Sequence, residues 1–405
     1  MRKLRLGVIG LGQRGSGLLN TILDTVPEIE VVAVSDNYLD RTEDAAKNIK
    51  EKRGIDAFKT TNYKELLERD DVEAVLVSTS WETHVSVSID AMNAGKITAM
   101  EVGGAYNEEE LWELVDTYEK TKVPFMFLEN CCYDHQELAV THMVRKGIFG
   151  KIVYASGTYG HDLREEVTKG KENRHYRLKN YIERNCENYP THELGPIAKI
   201  LKINQGNRMV KLVSMASKQF GLTDYVKNNP DTVDQSLLNV DFKQGDVVNT
   251  LITCENGESI ALKLDTSLPR FYNREFSVHG TKGMYDELSR IVFIEGDNEW
   301  DRMSLLSNQD ERFKDYMPKM WKNLTEEQRK SGHGGMDHFE LKAFADCALN
   351  NKPMPIDVYD AAAWMVITCL SEKSIKDGVV VDIPDFTRGA YKTRELTDVI
   401  DFDND

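Results

Sequence analysis

The first third of the chain alternates short continuous apolar runs with segments whose apolar positions recur at helical spacing. Residues 4–9, 30–35, 74–79, 97–102 and 123–128 read as strands. Residues 39–52, 82–94 and 108–120 carry helical patterns, as does the stretch between Gly15 and Pro27, and Gly95 is placed to end the helix before it. Strands alternating with helices predict a parallel, doubly wound α/β sheet. After Glu129 and Asn130 the pattern changes. A helix is expected over 134–146, followed by strands over 151–161, 209–219, 236–242, 247–254, 258–266, 275–279 and 290–295. Asn256-Gly257 marks a hairpin between two of these. Successive strands without intervening helices predict a large, mostly antiparallel sheet and an α+β unit. Helices over 336–349 and 358–376 close the chain, the second capped by Asp357 and ended by Gly378. The polar stretch 165–174 is expected to be a mobile loop.

Composition narrows the class. A chain of 405 residues, 40% apolar and 29% charged, exceeds one ordinary core and predicts two domains. Lys and Arg number 51 against 67 Asp and Glu, a net charge of −16, which argues against nucleic acid or an anionic membrane as partner. No apolar run approaches the ~18 to 20 residues that span a bilayer. The start, Met1-Arg2-Lys3-Leu4-Arg5, lacks a signal-peptide pattern, so a cytoplasmic protein is expected. Cys131, Cys132, Cys186, Cys254, Cys347 and Cys369 form no C-x-x-C pair, and the last three fall in apolar patterns expected in the core. That usage suits a reducing compartment.

Candidate chemistry begins at Gly10-Leu11-Gly12-Gln13-Arg14-Gly15, directly after the first strand and opening a helix. In that context Gly10 allows the tight turn, Gly12 the close approach of a pyrophosphate, and Gly15 close helix–strand packing. The helix N-terminus adds free N–H groups for the phosphates. Asp36, closing the second strand, can bind both ribose hydroxyls and would repel a 2′-phosphate, which favours NAD over NADP. Trp81 and His84 lie in a loop at the carboxyl end of a strand, where they are expected to line the cofactor. Residues 1–129 are therefore expected to form a Rossmann NAD-binding domain, and 130–405 a substrate-binding domain. On the strand 151–161, Tyr159 and His161 share one face. Tyr189 and His192 precede an apolar helical stretch, and a polar turn runs from Asp265 to Tyr272. Such polar and aromatic clusters at element ends predict a polyol or sugar pocket. His333 and His338, in a glycine-rich loop, are expected to be structural, and no metal site is expected. An antiparallel sheet with one uncovered face offers a surface for a homo-oligomer.

The glycine loop, the strand end at Glu101 and the sheet-rich second half together resemble the Gfo/Idh/MocA oxidoreductases. Within that group the chain resembles the NAD-dependent glycoside hydrolases of family 109, the α-N-acetylgalactosaminidase type. The resemblance rests on Trp81-Glu82-Thr83-His84, Met100-Glu101-Val102, Leu128 to Tyr133, Tyr159 to Arg164, Tyr189 to His192, Asp265 to Tyr272 and Gly332 to Asp337. The superfamily's ordinary dehydrogenases carry Glu-Lys-Pro where this chain has Glu101-Val102-Gly103, so a lysine is missing and proton handling falls to Tyr and His. The resemblance implies hydrolysis by transient C3 oxidation, elimination, water addition and re-reduction. It implies NAD contacts from Gln13, Arg14, Asp36, Trp81, His84, Glu101, Val102 and Asn130. It also implies a sugar site lined by Tyr159, Arg177, Tyr189, His192 and Tyr272, with Glu129 and His161 close by. His192 and Tyr159 are the expected catalytic pair, supported by Tyr189. Two departures from the family are Tyr176, where Trp is usual, and Glu193, where Gly is usual. A sugar dehydrogenase with exchangeable NAD, or a non-catalytic NAD or sugar sensor, would share the same fold.

Overall fold

A computed structural model describes residues 2–402. The N-terminal strands are β1 (Leu4–Ile9), β2 (Ile29–Ser35), β3 (Phe58–Thr60), β4 (Ala74–Val77), β5 (Ile97–Glu101) and β6 (Phe125–Leu128), joined into one parallel sheet in the order β3-β2-β1-β4-β5-β6. β4 and β6 are buried on both faces, as a parallel sheet wrapped by helices requires. Strand order reverses between β1 and β4, so the loops after these two strands flank the switch point where α/β sheets bind ligands. The expected strands all form; β3, only three residues long and half-exposed, carries no pattern that would have revealed it.

The second sheet contains β7 (Ile152–Gly160), β8 (Met209–Ala216), β9 (Val247–Cys254), β10 (Ser259–Asp265), β11 (Ser277–Gly280), β12 (Gly283–Asp286), β13 (Ile291–Ile294) and β14 (Val381–Asp382), in the order β13-β12-β11-β7-β10-β9-β8-β14. Every pairing is antiparallel except β7 with β10. Gly257, at φ +98°, makes the β9–β10 turn, and Cys254 N–H reaches Glu258 O at 2.8 Å to close it. Burial alternates along β9 and β10, one face packed under helices and the other open, with Val153, Met215 and Leu251 exposed on the sheet. Residues 236–242 do not form the expected strand. Asp234 caps Ser236 N–H at 2.8 Å and starts a 3₁₀ turn over Gln235–Asn239, a local side-chain bond that competes with sheet formation. The expected loop 165–174 is partly helical, over Arg164–Thr168.

The helix Val358–Asp377 is the pillar between the sheets. Asp357 caps it through Tyr359 N–H and Asp360 N–H, and Gly378 ends it at φ +66°. It is apolar nearly all round because both units pack on it: Ala105 N–H bonds Met365 O, and the Trp364 ring lies 6.1 Å from that of Phe127. No helix among the described residues is long and apolar enough to cross a membrane.

A second join is ionic. Helix Met336–Asn350 brings Asp337 back to the glycine loop, where its carboxylate takes Arg14 Nη1 at 2.5 Å and Nη2 at 3.1 Å. Arg14 Nε bonds Glu101 at the end of β5 at 2.7 Å, and Asn130 Nδ2 donates to Asp337 at 2.7 Å. Burial pushes the Asp337 carboxyl up, but the Arg14 guanidinium and His333 more than offset it and hold it well below the usual carboxylate range. Because its folded pKa is depressed, Asp337 contributes stability above its ordinary value of 3.8 and loses that contribution as pH falls from there. Asp337→Asn should therefore cost about 2–3 kcal/mol at neutral pH. Urea unfolding across pH should show the gap between wild type and variant closing on acidification; a gap independent of pH would contradict the ionic join.

Candidate active site

The glycine loop has the form that a dinucleotide needs. Gly10 sits at φ +93°, and a Cβ there would lie 2.3 Å from Ser78 O; one on Gly15 would lie 2.0 Å from Gly10 O. Gly12 faces open space, its nearest neighbour Arg41 Nη1 at 3.7 Å. The helix Gln13–Thr25 begins at Gly12 with no side-chain cap and no acid in its first turn, so its N–H groups stay free for phosphate. Gln13, exposed, opens that helix. Asp36 ends beside the loop, accepting from Leu11 N–H at 2.7 Å and Tyr38 N–H at 3.0 Å. Arg41, which sequence spacing left outside the site, stands 3.6 Å from that carboxylate.

On the other side of the switch point, Trp81 starts the helix after β4 and is buried. Gly103 makes room for it, since a Cβ there would lie 2.4 Å from Trp81 Cδ1. His84 Nε2 bonds Thr79 O at 2.8 Å, and burial pulls the imidazole down to about 4, so it is neutral and braces its own loop. Glu101 and Asn130 both reach the Arg14–Asp337 network, and Val102 lies buried beside them. The expected cofactor residues thus lie at or just beyond the carboxyl ends of β1, β2, β4, β5 and β6.

The crevice is also bridged from the second unit. Arg174 pairs with Asp40 at 2.9 Å and covers the Tyr38 ring, while Arg41 reaches Asn173 O at 3.3 Å. Lys179 pairs with Glu82. These contacts tie down the stretch expected to be mobile.

An unbroken wall of rings runs from Trp81 into the second unit. Tyr189 stacks on Trp81 with centroids 5.4 Å apart, Tyr159 lies 4.6 Å from Tyr189, and His192 lies 4.8 Å from Tyr189 and 5.6 Å from Tyr159. His161 continues from Tyr159 to half-exposed Tyr272, 5.2 Å away at the outer edge. Tyr176, given no role by sequence beyond replacing a Trp, meets Trp81 edge-on at 5.1 Å. Arg177 sits over both Trp81, at 5.4 Å, and Tyr189, at 5.1 Å, with Glu166 as its carboxylate partner at 3.4 Å.

Two hydrogen-bonded arms emerge from the wall. In one, Glu129 accepts from His192 Nδ1 at 2.8 Å, and His192 Nε2 meets Tyr189 Oη at 3.3 Å. Burial pushes the Glu129 carboxyl up, but His192 and the Cys131 N–H more than offset it, so Glu129 is an anion. In the other, Tyr159 Oη meets His161 Nδ1 at 3.3 Å. Burial raises the Tyr159 phenol above its ordinary value, an effect that the Arg177 charge only partly offsets; burial and Arg177 lower the His161 imidazole. Each arm therefore joins a phenol to an imidazole able to exchange a proton with it.

Glu129, Cys131 and His192 are a trio whose potential ligand atoms lie within 4.8 Å of one another. The direct Glu129–His192 bond makes them a carboxylate–imidazole pair with a buried neighbouring thiol. His333 turns to Asp337 and His338 to Thr25, so those two face different partners. Asp337, Tyr176 and Glu166 were not foreseen as site residues; the glycine run before Asp337 was the one available signal.

Comparison with known proteins places these features in a family. The family model described as oxidoreductase family, NAD-binding Rossmann fold matches residues 4–128, and that of glycosyl hydrolase 109, C-terminal domain, matches residues 133–393. A glycosyl hydrolase family 109 protein of Stenotrophomonas maltophilia is 37% identical, covering 97% of this chain and 91% of its own. An alpha-N-acetylgalactosaminidase of Tannerella forsythia is 34% identical over 97% and 88%. Among solved structures, levoglucosan dehydrogenase in complex with NADH and L-sorbose shares the fold, with a TM-score of 0.72 and 17% identity over 95% of this chain and 100% of that one. Myo-inositol 2-dehydrogenase from Lactobacillus plantarum gives 0.66 and 17% over 95% and 100%. The chain therefore belongs to glycosyl hydrolase family 109, a glycoside hydrolase built on an NAD-binding oxidoreductase fold.

Proposed function

We propose that the protein is an NAD-dependent glycosidase that cleaves N-acetylgalactosaminides through a transient ketone at C3 of the sugar. The observation that carries this reading is the pair of lysine-free acid–base arms meeting beside Trp81 at the edge of the nucleotide crevice. When bound, NAD supplies a hydride acceptor that is regenerated within each turnover, so the net reaction is hydrolysis. The uncapped helix at Gly12 would hold its pyrophosphate, and Asp36 its ribose hydroxyls.

The remaining chemistry is proton transfer. A C3 hydroxyl must lose a proton, C2–H must be removed once C3 is a ketone, and the leaving group must gain a proton. Glu129 fixes the His192 tautomer by accepting from Nδ1, which leaves Nε2 free as a base beside Tyr189. Tyr159 forms the second arm: burial keeps it a phenol, a proton donor that Arg177 only partly offsets, and His161 lies within reach of its proton. Trp81, Tyr189 and Tyr159 present ring faces to the sugar and exclude water from the reacting carbons. Tyr272, at the outer end of the wall, borders the leaving-group side.

Aryl N-acetylgalactosaminides, in both anomers, should release aglycone without added NAD and without net NADH, with solvent deuterium entering at C2. His192→Ala and Tyr159→Phe should each lower kcat by about 10²- to 10⁴-fold. Stoichiometric NADH with no bond cleavage would replace this reading with a sugar dehydrogenase. Asp36→Ser, which leaves Arg41 in place, should move cofactor preference toward NADP by at least about tenfold, as read by the ratio of the two dissociation constants.

A further inference from the structure

Behind the catalytic wall lie two carboxyls that the reaction above does not use. Glu193 follows His192 on the helix Thr191–Ile200, and its Cβ lies against β7, where a Cβ on Gly157 would approach it to 2.7 Å. Gly157 stands two residues before Tyr159 on that strand. Glu187 lies in the approach to the same helix, its backbone N–H fixed by Ser371 Oγ of the pillar helix at 2.8 Å. Glu187 is 0% exposed and Glu193 2%, yet none of their four carboxyl oxygens makes a hydrogen bond of good geometry. Thr368 Oγ1, on the pillar helix, is likewise buried without a partner.

The groups around them offer no counter-charge. Glu193 feels Glu187 and Glu129, adjoins His192 on its own helix, and acts on Tyr159 of β7; Glu187 adjoins the Cys186 thiol. Among the described residues no lysine or arginine pairs with either carboxyl. The one anion with partners is Glu129, held by His192 and the Cys131 N–H. Leaving a carboxylate buried without a partner costs far more than protonating it.

We propose that Glu187 and Glu193 are a proton-holding carboxyl pair behind the Glu129–His192 arm, and that neutral Glu193 is a positioning residue that keeps a further buried negative charge away from Glu129, His192 and Tyr159. An ionised Glu193 would set a like charge against the Tyr159 phenolate; its proton removes that opposition. Burial raises both carboxyls, Glu187 to about 8. A raised folded pKa means that the pair's stabilising contribution is fully present below the ordinary value of 4.5 and is lost as pH rises through about 8.

The test uses the full-length protein saturated with added NAD, as wild type, Glu187→Gln and Glu193→Gln. Wild-type Tm should fall as pH rises toward about 8, and each variant, which cannot ionise at that position, should show a shallower fall. In Glu193→Gln the alkaline limb of the kcat profile should move upward by about one pH unit. At neutral pH, wild type should show a protonated-carboxyl C=O stretch in the infrared, part of which is lost in each variant. Tm slopes and a kcat limb identical to wild type would overturn the proposal. So would the absence of any protonated-carboxyl band in wild type, a measurement that needs no variant to fold. The kcat arm rests on the glycosidase reading, whose own failure would appear as no aglycone release from wild type; the melting and infrared arms use no substrate.

Discussion

The Arg14 guanidinium is shared by carboxylates from opposite ends of the chain. Glu101 ends β5 of the nucleotide sheet, and Asp337 lies in the first turn of a helix contributed by the second unit. Arg14 also belongs to the glycine loop, so the residue that shapes the phosphate turn is the one that fixes how the two units meet. Asn130 joins the same carboxylate just after β6. With these bonds made, the crevice of one unit and the ring wall of the other share a single frame, and the pillar helix beneath supplies the apolar area that keeps it rigid.

That frame brings side chains of both units into one cluster. Trp81 belongs to the nucleotide unit but stacks on Tyr189 of the other, so each unit completes the other's wall. Glycine at position 103 gives Trp81 its place, and Val102 precedes it at the same strand end. The rings at this junction are phenols and imidazoles in hydrogen-bonding contact, Tyr189 with His192 and Tyr159 with His161.

Much of this was legible before any coordinates. The glycine loop, Asp36 and the alternating strands specify the nucleotide unit because each local preference agrees with the global sheet. Asp357 and Gly378 likewise marked both ends of the pillar helix. Legibility failed where the deciding contact is distant. No local pattern shows that Arg41 faces Asp36, or that Asp337 returns to Arg14. Residues 236–242 look like a strand by composition, yet Asp234 claims the backbone first. The stretch 165–174 reads as loose because its anchors, Asp40 and Arg41, lie in the other unit.

The one parallel pairing in the second sheet has a geometric outcome of its own. β7 and β10 run side by side in the same direction, with Tyr159 opposite Leu264 and Gly160 opposite Asp265. Both strands therefore finish at the same edge, and the chain leaving each one delivers a ring: His161 after β7, Tyr272 after β10. Parallel sheets concentrate ligand-binding loops at the carboxyl ends of their strands, whereas antiparallel neighbours send theirs to opposite edges. By inserting a single parallel pair, an otherwise antiparallel sheet acquires a polarity, and the edge that carries His161 and Tyr272 is built by the same directional rule as the strand ends of the first sheet.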